Sequence, residues 1–159
     1  MSTADTTTTT TSTIDAIERE VFIEAGIERV WSLVSKAGFW IGEELHFETQ
    51  AAEGEVVEIH TEQYGTFPVE VTRLDAPRYA AYRWASSEPG ASLTPTNATL
   101  VEFTLAERDG GVQVQVRESG FAGLPEASFR SNSEGWAQQM ARLQVAATAS
   151  TTVTSAGDR

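Results

Sequence analysis

One carboxylate stands apart by its spacing. Glu118 falls in phase with Val112, Val114 and Val116, so strict alternation turns it toward the apolar face those valines share. A carboxyl group facing an apolar cavity has a raised pKa and can act as a general acid or base, or anchor a ligand. Tyr82, in phase with Ala80 and Trp84, would add a hydrogen-bond donor, and the pair could support cyclase- or hydrolase-like chemistry. The alternative for Glu118 is an ion pair with Arg83 or Arg117 at a strand edge. Glu102 alternates with Leu100 and Thr104 and belongs on the opposite face. Asn132, Glu134 and Trp136 fall near the start of a C-terminal helix. There Glu134 would favour the helix dipole, and Asn132 could bond a ligand or the preceding loop.

Other chemistries lack their residues. The chain has no Cys, which excludes disulfides, thiol nucleophiles, Cys-ligated zinc and Cys-ligated iron–sulfur clusters. His46 and His60 are the two histidines, and no His-Glu-x-x-His or Gly-x-Ser-x-Gly spacing occurs. Neither a metal nor a cofactor is expected. Eleven Lys plus Arg against 23 Asp plus Glu give a net charge of −12, which repels phosphate backbones and anionic membranes. Nucleic acid is therefore not an expected partner. Between Ala37 and Thr72 stand Glu43, Glu44, Glu48, Glu53, Glu55, Glu58, Glu62 and Glu70 without one Lys or Arg. That run is either a face for a basic partner or divalent cation, or a solvated strand face that discourages edge pairing.

The hydrophobic period says what must hold these residues. Alternation at Ile17, Val21 and Ile23 reads as a strand, and Ile27, Val30, Trp31 and Val34 follow at helical spacing. Phe39, Trp40 and Ile41 read as a loop or a second short helix. Period two then takes over around Val57 and Ile59, around Phe67 to Val71, from Ala80 to Trp84, and in the pair Val101–Leu105 and Val112–Val116. The pair flanks Asp109-Gly110-Gly111, a hairpin signal. After Leu124-Pro125-Glu126 a helix is expected over about 127–149, long enough to cross a sheet. Residues 1–14 and 150–159, rich in Ser and Thr, are expected to be disordered tails around one α+β domain at 15–149. Nothing near Met1 reads as a signal peptide and no apolar run could span a bilayer, so a cytoplasmic protein without membrane insertion is expected.

This order of elements, with Ile17-Glu18-Arg19-Glu20-Val21, Ile27-Glu28-Arg29-Val30-Trp31, Leu100-Val101-Glu102-Phe103, Val116-Arg117-Glu118-Ser119-Gly120-Phe121 and Asn132-Ser133-Glu134-Gly135-Trp136, resembles the START-like (SRPBCC) helix-grip superfamily. Within it the chain is similar to the activators of heat-shock protein 90 ATPase. The resemblance implies a Bet v 1-like fold: a curved antiparallel sheet of about six strands around a long C-terminal helix, with two short helices after strand 1. It also implies a deep cavity between sheet and helix, used in different members for small apolar molecules or chaperone contact.

The sequence is thus read first as a binder of an apolar or aromatic small molecule. Candidate lining residues are Tyr82, Trp84, Phe103, Val114, Val116 and Glu118 from strands, with Asn132, Gly135, Trp136 and Met140 from the helix. Phe39 and Trp40 would form a rim. Solid packing of Phe103, Trp136 and Met140 with no void left would sink the ligand reading in this form. Catalysis through Glu118 and a co-chaperone module are the alternatives, with a chaperone or homodimer contact as the protein partner.

Overall fold

The computed structural model describes residues 16–42 and 44–157, with side chains described through Thr148. The expected tail at 1–14 lies outside the described residues. The described chain folds as strand β1 (Ala16–Ile23), helix α1 (Ile27–Val34), strands β2 (Val56–Thr61), β3 (Gly65–Asp75), β4 (Tyr79–Trp84), β5 (Thr99–Arg108) and β6 (Gly111–Ser119), and helix α2 (Glu126–Gly157). The strands form one curved antiparallel sheet in the order β1-β6-β5-β4-β3-β2. This is the expected α+β helix-grip architecture.

Local chemistry explains each turn. The β5–β6 hairpin closes at Gly110, and a Cβ on Gly111 would stand 2.1 Å from the Ile23 carbonyl oxygen, so only glycine lets β1 approach β6 there. Two elements differ from expectation. The second short helix after β1 is absent; residues 36–42 form turns, because Gly38 adopts φ +70°, a left-handed conformation that ends helical propagation. Helix α2 runs to Gly157 instead of ending near 149, and no Gly or Pro interrupts 149–156. Its backbone therefore takes up 150–157 of the expected tail, while 158–159 lie outside the described residues.

Helix α2 buries Trp136, Met140, Leu143 and Ala147, spaced four, three and four apart, against the sheet. Above them an aromatic cluster fills the space where an enclosed cavity was expected. Phe103 has its ring centroid within 5.1–6.2 Å of those of Phe39, Trp40, Tyr82 and Trp136. Phe39, Tyr82, Phe103, Val114, Val116 and Met140 are all buried core. The deep cavity is thus corrected to a packed aromatic interior: large rings from sheet, turn and helix interdigitate where smaller side chains would have left room.

Candidate functional site

Glu118 sits near the end of β6, opposite Val101 on β5 and Ile17 on β1, and is 0 % exposed. Alternation delivers it inward, and four side chains converge on it. The Trp84 indole Nε1 donates to Oε2 at 2.9 Å and the Thr99 hydroxyl at 2.5 Å. The Trp136 indole donates to Oε1 at 2.7 Å, and Asn132 Nδ2 bridges both oxygens at 3.1 and 3.2 Å. Neither Arg83 nor Arg117 pairs with it. Arg83 binds Glu70 at 3.0 Å and Arg117 binds Glu18 at 3.2 Å, so the edge ion-pair alternative is corrected.

Burial pushes the Glu118 carboxyl pKa up, and the bonds from Thr99, Trp136, Trp84 and Asn132 pull part of the way back. The group ties β4, β5 and α2 to β6. Within the folded chain it acts as a clasp, its two oxygens accepting five hydrogen bonds from four side chains. Tyr82, its expected catalytic partner, spends its hydroxyl elsewhere, donating to the Val34 carbonyl at 2.7 Å. Burial pushes that phenol up as well. The structure does not assemble a Glu118–Tyr82 acid–donor pair.

Beside this clasp an open cleft of about 610 Å3 lies between α2, the 40–42 turn with Glu44, and the ends of β3 and β4. Trp40, Trp84 and Trp136 line it, with Phe67, Asn132 and Gly135. A Cβ placed on Gly135 would meet no atom within 4 Å, so the missing side chain leaves the helix face open. Gln139 holds the turn to the helix, donating from Nε2 to the Trp40 and Gly42 carbonyls at 2.6 and 3.1 Å. Among the described residues the buried Trp40 indole Nε1 has no hydrogen-bond partner. Its ring packs against Tyr82, Trp84, Phe103 and Trp136 at centroid distances of 5.4–5.7 Å.

Of the sequence-predicted residues, the cleft gathers Trp40, Trp84, Asn132, Gly135 and Trp136, with Glu118 bonded behind three of them. Phe39, Tyr82, Phe103, Val114, Val116 and Met140 lie in the core instead, and Phe39 is not a rim residue. Glu134 is exposed two turns into α2, away from its dipole. Among the described residues no group of three or more His, Asp and Glu is placed to hold a metal. Among the described residues no helix is long and apolar enough to cross a membrane.

The sequence model of the family described as Activator of Hsp90 ATPase homolog 1-like protein matches residues 20–148. The chain belongs to this family. No curated protein matches the sequence significantly. Among solved structures, DynU16, from the dynemicin biosynthetic locus, aligns with a TM-score of 0.63 at 20 % identity over 82 % of this chain and 46 % of its own, so this chain spans about half of that protein. The Aha1 dimer from Colwellia psychrerythraea aligns at 0.65 and 15 % identity, covering 82 % and 94 %. MLL2253 from Mesorhizobium loti gives 0.64 and 20 %, covering 81 % and 93 %. At these identities the likeness is one of fold.

Sequence reasoning missed Thr99, Gln139, Phe67 and Tyr64. For Thr99 a signal exists: it opens the strand whose register sets it opposite Trp84. Gln139 is a polar residue three positions beyond Trp136 on the buried stripe of α2, and such a residue must find partners.

Proposed function

We propose that this protein binds an apolar or aromatic small molecule in the cleft between α2 and the 40–42 turn. The observation that carries the reading is an open cleft lined by three largely buried indoles, 3–8 % exposed, together with Ser86, Ser131, Gln138 and Arg142, with an open face at Gly135. A concave surface that joins apolar rings to fixed polar groups is the usual form of a small-molecule site. With the enclosed cavity filled, this reading puts the site at the mouth of the grip and no longer at its middle. Glu118 supports it as a positioning residue, holding the Trp84 and Trp136 rings by their N–H groups so that their faces stay in place.

Gly135→Leu tests this directly. The added side chain enters open space, and leucine is a better helix former than glycine, so the fold should be unharmed. In ligand-observed NMR with 3-tert-butylphenol, the wild-type protein should show saturable binding, weakened about tenfold or more in the variant. Equal binding by both proteins would contradict the site.

A further inference from the structure

The cleft meets a second groove of about 500 Å3, and the two share Ile41, Gly42, Glu44 and Tyr64. The second groove is lined by Glu48, Glu58 and Glu62 as well as Glu44, four of the eight acids of the run, together with His46 and His60, and His46 Nδ1 stands 3.3 Å from Glu48. Tyr64 is 49 % exposed at this seam, an unusual degree for a large ring that lines a groove. Arg142 is the cation on the cleft lining, and its guanidinium is already bonded to Gln139 at 2.9 Å.

Aromatic faces attract cations through the negative face of the ring, and adjacent carboxylates strengthen that preference. Trp84 and Trp136 also donate their N–H groups to Glu118, which shifts electron density toward their rings. We propose that the cleft selects an organic cation, its apolar or aromatic body against the tryptophan wall and its ammonium end at the seam, over Tyr64 and beside Glu44. The inference rests on the small-molecule reading above and adds the chemical class of the ligand.

The test compares two probes of nearly the same shape, (3-hydroxyphenyl)trimethylammonium and 3-tert-butylphenol, titrated calorimetrically into the full chain. The cation should bind about three- to fivefold more tightly than the neutral probe. Glu44→Gln and Tyr64→Ala should each weaken the cation more than the neutral probe, so that the advantage shrinks. Glu44 and Tyr64 are both exposed, so thermal melts of the variants should match wild type. Equal or tighter binding of the neutral probe would overturn the cation inference and leave the apolar reading standing. A cation advantage untouched by both substitutions would overturn the placement at the seam. Failure of both probes to bind would overturn the inference together with the reading on which it rests.

Discussion

Replacing Glu118 by Gln preserves its shape and takes away one acceptor atom. Oε2 accepts from Trp84, Thr99 and Asn132, and Oε1 from Trp136 and Asn132. An amide can be turned either way, yet each orientation sets its NH2 group against an indole N–H that has no lone pair to offer. One buried indole donor is therefore orphaned, at a cost of about 1–3 kcal/mol, and one of the two Asn132 contacts is lost, at about 0.5–1.5 kcal/mol. A protonated carboxyl escapes this conflict, because its O–H can point at Thr99 and both oxygens keep a lone pair. The expected loss is about 2–4 kcal/mol, and at roughly 2–4 °C per kcal/mol for a chain of this size the Tm should fall by about 5–15 °C. Thermal unfolding followed by circular dichroism at neutral pH measures it. In a Trp136→Phe background the amide can face the phenyl ring, so the same substitution should cost at least about 1 kcal/mol less, a coupling visible in a double-mutant cycle. A Glu118→Gln variant melting within about 2 °C of wild type would refute the four-donor clasp.

Further outcomes follow from the same groups. Burial raises the Glu118 pKa, so the folded state holds that proton to higher pH than the unfolded chain does; the resulting stability is full below the ordinary carboxyl range and is lost as pH rises through the folded-state value. The stability advantage of wild type over Glu118→Gln should therefore shrink from acid toward neutral pH in urea titrations, and an advantage that grows would contradict the direction of the shift. Tyr82→Phe removes the donor to the buried Val34 carbonyl and should cost about 1–2 kcal/mol, read as a lower urea midpoint at unchanged m-value. No loss would mean that the carbonyl finds another donor.

Alternation alone was enough to turn Glu118 inward, and the helical stripe was enough to set Trp136, Met140 and Leu143 on the sheet, because burial on one face fixes phase. What lay beyond the sequence was how closely these side chains would fit. Phe39, Trp40 and Phe103 are compatible with a cavity wall or with a filled core, and only the approach of the 36–42 turn to α2 decides between them. That approach depends on Gly38, where a Cβ would stand 2.6 Å from Ile59 Cγ1, a long-range contact with no local signature. Thr99 and Gln139 went unread for a related reason: their partners lie on other elements, and hydrogen bonds between elements leave no period in the sequence. The helical continuation of α2 past Ala149 escaped notice because a Ser- and Thr-rich composition is only weakly unfavourable to helix.

The central claim is that a small molecule meets Trp40, Trp84 and Trp136 together. The chain has four tryptophans, and the fourth, Trp31 on α1, is not part of the cleft. Labelled with 5-fluorotryptophan, the protein should give four fluorine resonances, assigned by single Trp→Phe substitutions. Titration with 3-tert-butylphenol should shift the three cleft signals in parallel, with one dissociation constant, and leave Trp31 in place. Saturable binding that moves Trp31 alone, or leaves the three cleft tryptophans unmoved, would contradict the account.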